Sequence, residues 1–130
     1  MANEDLTGRT LGEFILGERI GGGAQGVVYR AYQPKLDRDA VIKVLRPQNQ
    51  DNLVAQERFL REAKLASSLD HPYAAHIYAF DVESDGLMWI AMELVHGITL
   101  QARLAGRGPM PLAQLVPLVE RIALVVYDAH

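Results

Sequence analysis

Residues 20–29, Ile-Gly-Gly-Gly-Ala-Gln-Gly-Val-Val-Tyr, constrain this chain more than any other stretch. Gly21, Gly23 and Gly26 fit the spacing G-x-G-x-x-G, and Val28 comes two places later. Glycine has no Cβ, so its backbone can approach a bulky anion closely and can take positive φ. Successive free N–H groups in such a loop can turn toward phosphate oxygens. Taken alone, the pattern fits a tight glycine turn that binds nothing about as well as it fits a phosphate loop. The residues after Gly26 narrow the choice. In a dinucleotide-binding loop a helix opens at the second or third glycine. Here residues 27–32, Val-Val-Tyr-Arg-Ala-Tyr, are rich in β-branched and aromatic side chains and predict a strand. No Gly-Lys-Ser/Thr is present, which excludes a Walker-type loop.

Composition sets the remaining bounds. A chain of 130 residues is one domain's worth, or part of a larger one, and a 49% hydrophobic fraction supplies a core. The net charge of −3 gives no reason to expect nucleic acid or an anionic membrane surface as partner. There is no cysteine, hence no disulfide framework and no thiolate metal site, which fits a cytoplasmic location. The first residues lack the basic start and apolar run of a signal peptide, and no stretch of about 18 apolar residues predicts a membrane span. His71, His76, His96 and His130 have no spacing suited to a metal, so no metal ligands are expected.

Taken in order, residues 1–12 read as a flexible leader, 14–20 as a first strand and 27–32 as a second. A turn comes next at 34–38, then a third strand at 39–45. Lys43 is the odd residue of that third strand. With a two-residue period it shares a face with Val41 and Leu45, while Ala40, Ile42 and Val44 take the other. A strand lysine is usually a solvated edge charge, but an ammonium between apolar neighbours needs a counter-charge or a phosphate. Pro47 ends the strand, and Asp51 or Asn52 can cap a helix over residues 53–69. Glu62 lies on or beside the apolar stripe of that helix. Two partners are open to it, Arg58 one turn earlier and Lys43 on the sheet. Strands at 76–83 and 87–94 flank a turn at Ser84-Asp-Gly86. A short helix at 99–105 and a long one at about 112–129 complete the chain. Pro117 should kink the long helix or delay its start. That helix is apolar on most sides, a pattern that demands burial on most sides.

Five motifs in order carry a resemblance. They are the loop at 20–29, Val-Ile-Lys-Val-Leu at 41–45, Phe-Leu-Arg-Glu-Ala at 59–63, His71-Pro72, and Ala-Met-Glu-Leu-Val at 91–95 with Gly97 and Thr99-Leu100 after it. Together they resemble the N-terminal part of a bacterial eukaryotic-like (Hanks-type) serine/threonine protein kinase, from about residue 14 to 130. The resemblance implies an α+β fold. A kinase small lobe and hinge at 13–95 would hold a five-stranded antiparallel sheet with one packed helix. The start of a large lobe would come after it at 96–130, with two helices. The resemblance also implies ATP as ligand, with Gly21, Gly22, Gly23, Ala24, Gln25, Gly26 and Val27 in the loop over the phosphates. Ile20, Val28 and Val41 would lie against the adenine, Lys43 would contact the α- and β-phosphates, and Glu62 would hold the lysine. Met92 matches the gatekeeper position, the Glu93 carbonyl and the Val95 amide match the hinge, and Thr99 lies near the ribose. Two residues depart from the family's pattern. Val41 replaces the usual alanine and crowds the adenine modestly, and Gln25 replaces the usual aromatic loop tip.

Neither His-Arg-Asp with its asparagine nor Asp-Phe-Gly occurs in the chain. Those residues supply the catalytic base and the magnesium ligands in kinases. The sequence therefore reads as the ATP-binding front of a protein kinase acting on a protein substrate, truncated before the catalytic loop and inactive alone. The magnesium ligands are expected in the missing large lobe. A pseudokinase-like nucleotide-binding or regulatory module is the alternative reading. The exposed helix at 112–129 further predicts self-association of the chain.

Overall fold

The structure, a computed structural model, describes residues 5–23, 26–45 and 53–130. Among these residues the chain forms strands β1 (Thr10–Leu11), β2 (Phe14–Gly23), β3 (Gly26–Gln33), β4 (Arg38–Val44), β5 (Ile77–Val82) and β6 (Met88–Glu93). The helices are α1 (Leu53–Ser68), α2 (Leu100–Arg107) and α3 (Leu112–Ala129), with a 3-10 turn at Pro34–Leu36. Ala24, Gln25, Pro47 and the candidate caps Asp51 and Asn52 lie outside the described residues.

The six strands form one antiparallel sheet in the order β1-β2-β3-β4-β6-β5. The sequence predicts five. The sixth is β1, whose two residues are too few to show an alternating pattern. Leu11 pairs with Phe14 across a turn at Gly12, which takes φ +59. Residues 5–12 are thus not a loose leader: Leu6 is 7% exposed and Leu11 is fully buried.

The chain divides into two compact units. Residues 1–68 and 75–94 make the first, and residues 69–74 and 95–130 the second. In the first unit one face of the sheet carries the larger core, and α1 covers the β5–β6 side of the other. On one face Leu6, Leu11, Phe14 and Leu16 pack with Tyr29, Ala31, Ala40, Ile42, Val44, Leu87, Trp89 and Ala91. The Phe14 and Trp89 rings meet edge-on with centroids 6.1 Å apart. On the other face Phe59 and Ala63 of α1 pack with Leu45, Met88 and Ile90, flanked by Ile77 and Met92. Polar atoms at the sheet margin are paired. Buried Gln33 donates to Glu13 and accepts from Arg38, whose guanidinium lies 3.6 Å from the centre of the Tyr78 ring. Asp37, at φ +48 after the 3-10 turn, accepts from the Tyr32 hydroxyl and holds that phenol above its usual pKa.

In the second unit the Thr99 hydroxyl accepts the Ala102 N–H at 3.0 Å and caps α2, which accounts for the helix starting there. Arg103 binds the Gly108 carbonyl and Gln114, tying the connection between α2 and α3. Pro117 lies inside α3 and the helix starts at Leu112 regardless, so its start is not delayed. No residue of α3 is buried. His71 and Asp128 approach to 3.6 Å, and Tyr73 with Leu118, Arg121, Ile122, Val125 and Val126 lines an apolar groove of about 340 Å³.

Candidate functional site

The sheet register of the first unit decides which side chains share a face. Across β2, β3, β4 and β6 the pairing runs Gly21, Val28, Lys43, Ile90. The next row of the same face, two residues along, runs Arg30, Val41, Met92 and then Ile77 on β5. Residues directly opposite in register point the same way, and residues two apart along a strand do too. Gly21, Val28, Val41, Lys43 and Met92 therefore stand on one face of the sheet. It is the face that α1 covers at its β5–β6 side.

α1 delivers the remaining charge. Phe59 and Ala63 are its buried residues, and Glu62 sits one position before Ala63 on the rim of that stripe. The Lys43 ammonium (Nζ) donates to Glu62 Oε1 at 3.2 Å. Of the two partners open to Glu62 from the sequence, Lys43 is the one the structure shows. The lysine side chain is 20% exposed and the glutamate 47%. An ion pair this wet adds on the order of 1 kcal/mol at most to stability. Its chemical meaning is a fixed ammonium, with two further N–H donors beyond the one Glu62 takes, among apolar neighbours on an open face. Such a group suits a phosphate.

The glycines answer to different constraints. A Cβ on Gly26 would stand 2.2 Å from the Val44 carbonyl oxygen, so the hairpin can close on β4 only with glycine there. A Cβ on Gly21 would meet nothing nearer than Val28 Cβ at 3.8 Å, an ordinary contact. Packing therefore permits a side chain at Gly21, and its absence keeps the face beside Val28 open. Gly22 and Gly23 continue β2, and Val27 pairs with Val44 on the opposite, core face, away from Val28. Ile20 falls at an irregularity of β2 between Arg19 and Gly21 and is about half exposed.

Glu93 closes β6. Its N–H donates to the His76 carbonyl at 2.8 Å and its carboxylate accepts the His76 N–H at 3.1 Å. Val95 and Thr99 belong to the second unit, where Val95 is exposed and the Thr99 hydroxyl serves as the α2 cap. Thus the structure gathers Gly21, Val28, Val41, Lys43, Glu62 and Met92. It also adds Ile90, directly opposite Lys43, which sequence reasoning passed over. The signal was there: residues 87–94 are apolar on both faces, so one of the two had to line the lysine's side.

The protein kinase domain model matches residues 14–130. The chain belongs to the protein kinase domain family. This kinase-domain chain is 37% identical over 122 residues to the serine/threonine-protein kinase PrkC of Bacillus subtilis, covering 94% of the chain and 19% of that protein. It is 35% identical over 128 residues to serine/threonine-protein kinase pkn3 of Myxococcus xanthus, covering 98% and 23% respectively. Among solved structures, the Mycobacterium tuberculosis PknI kinase domain superposes with a TM-score of 0.79 at 30% identity, covering all of the chain and 53% of that domain. The chain thus spans about a fifth of the length of these curated relatives and about half of that solved kinase domain. The fold is kinase-like, with a curled antiparallel sheet and three helices. No described helix is long and apolar enough to cross a membrane.

Proposed function

We propose that this chain is the nucleotide-binding part of a serine/threonine protein kinase, and that the open face of its sheet takes ATP. The observation that carries the reading is the Lys43–Glu62 pair, 3.2 Å long, on the same face as Val28, Val41 and Met92. A charged triphosphate and a flat base need that combination: one fixed cation and, within two residues of it, an apolar surface. The residues present therefore fit the ligand.

In this reading the loop at Gly21, Gly22, Gly23, Ala24, Gln25, Gly26 and Val27 covers the phosphates. Lys43 binds the α- and β-phosphates, and Glu62 orients the ammonium. Val28 and Val41 contact the adenine, with Ile20 at its margin and Met92 behind it. The backbone carbonyl of Glu93 and amide of Val95 hydrogen-bond the base, and Thr99 lies near the ribose. Residues 13–95 serve as small lobe and hinge, and 96–130 begin the large lobe. The protein acts in the cytoplasm, on protein serine and threonine hydroxyls.

Bound ATP supplies the phosphoryl group. The residues of this chain bind and orient the nucleotide, and catalysis of that kind is largely positioning and charge neutralisation. Among the described residues no group of three or more histidine, aspartate or glutamate side chains gathers to hold a metal. Magnesium in this reading rides on the phosphates and on residues beyond the motifs present here. With neither His-Arg-Asp nor Asp-Phe-Gly in its sequence, the 130-residue chain is expected to transfer no phosphate alone. It is also expected to self-associate through α3.

Titration with a fluorescent ATP analogue tests the site. Lys43→Ala is expected to weaken binding at least about tenfold, as loss of a charge-assisted contact to phosphate does. Equal binding by Lys43→Ala and wild type would refute the assignment.

A further inference from the structure

Residues 5–13 precede the region matched by the kinase family, yet they are built into the first unit. At one end the Leu6 N–H donates to the Tyr29 hydroxyl on β3 at 3.2 Å, and Leu6 is buried in the same cluster. Next, the Gly8 N–H donates to the Leu16 carbonyl at 2.8 Å, and the Leu16 N–H to the Arg9 carbonyl at 2.9 Å, which fastens the segment to β2. The Arg9 guanidinium then pairs with Asp85 in the β5–β6 turn at 3.0 Å. Gly12 passes so close to Trp89 of β6 that a Cβ would lie 2.9 Å from its ring. In sheet order the β2–β3 hairpin and the β5–β6 hairpin are separated by β4. The segment therefore touches both hairpins, packed in one cluster with Ala40, Ile42 and Val44 of the strand between.

We propose that residues 5–13 are a cross-brace that locks the glycine hairpin to the β5–β6 hairpin. The Leu6 contact falls on Tyr29, next in the chain to Val28 on the opposite face, so a change in the brace reaches the strand that leads out of the glycine loop. The brace acts through β3 and touches no ligand; it is a positioning element. Anything that pulls on the chain just before residue 5 acts on the same strand. An effect on ATP affinity rests on the nucleotide site proposed for the sheet face; the brace itself does not depend on it.

Hydrogen exchange in the 130-residue chain tests the brace. The double variant Leu6→Ala/Arg9→Ala is expected to speed exchange of β3 amides at least about threefold, as a local opening would, with α3 amides unchanged. The emission of Trp89, the only tryptophan, is expected to shift to the red. If that variant fails to fold, Arg9→Glu should give the same changes, and Arg9→Glu with Asp85→Arg should reverse them. Wild-type β3 exchange and Trp89 emission in both Leu6→Ala/Arg9→Ala and Arg9→Glu would overturn the brace. Binding of the fluorescent ATP analogue is expected to weaken severalfold in Leu6→Ala/Arg9→Ala. Faster β3 exchange with unchanged affinity would overturn the link to the nucleotide. Wild-type binding by Lys43→Ala would instead refute the nucleotide site and leave the brace judged on exchange alone.

Discussion

Gly21 and Gly26 belong to one motif, and a single methyl group separates their roles. In Gly26→Ala the new Cβ meets the Val44 carbonyl, a backbone atom that cannot swing aside. Overpacking of this kind costs about 1–3 kcal/mol. Urea unfolding should show that loss for Gly26→Ala, while Gly21→Ala stays within about 1 kcal/mol of wild type, since alanine is no worse than glycine in a strand. Nucleotide binding should fall in both. The glycine spacing was legible in the sequence; the reason for its last member was not, because the Val44 carbonyl comes from a different strand. Lys43 and Glu62 divide the same way. The period of β4 placed Lys43 on a face with Val41, and the apolar stripe of α1 placed Glu62 at its edge. Which cation Glu62 would meet depended on how α1 lies on the sheet, and periodicity carries no such information.

Elements were read well where they repeat and poorly where they are short. The long strands and α1 lie within a few residues of their expected bounds, because their apolar residues recur with a clear period. β1 was missed, and with it the anchoring of Leu6, one apolar residue among polar ones. Phe59 and Ala63 are the residues that α1 buries against the sheet. Phe59→Ala should therefore cost about 3–5 kcal/mol by chemical denaturation. Nucleotide affinity should fall with it, since the same helix carries Glu62. The β5–β6 turn responds to acid. The Leu87 N–H, and then the Arg9 guanidinium, hold the Asp85 carboxyl below the usual carboxylate range. A carboxyl depressed in the folded state stabilises it above the ordinary carboxylate pKa, and that contribution is lost as pH falls through the depressed value. Stability of the Asp85→Asn variant, monitored by thermal melting, should lack this part of the acid dependence. A variant melting with the same pH profile as wild type would show that Asp85 contributes nothing to it.

At the scale of the whole molecule the two units differ in how well they are covered. The first unit buries one face of its sheet and, beneath α1, part of the other. The second leaves Leu112, Val116, Val119, Ile122, Leu124 and Val126 of α3 about half exposed or more. That contrast was legible in the sequence, where residues 112–126 are apolar around most of the helix. The approach of His71 to Asp128 was not, since it joins residues far apart in sequence. An apolar helix in water should drive association, and light scattering should show a mass that rises with concentration. Val119→Glu with Ile122→Lys should return the chain to a monomer; a monomeric wild type at high concentration would contradict this. The contact between Gly26 and Val44 reaches beyond this chain to its lineage. Because the backbone forbids a side chain at Gly26 whether or not anything is bound, selection for folding alone would preserve that glycine. A descendant that had ceased to bind nucleotide would keep it long after Gly21 had drifted. In such a lineage the first glycine, and not the last, is the one whose loss records the change of occupation.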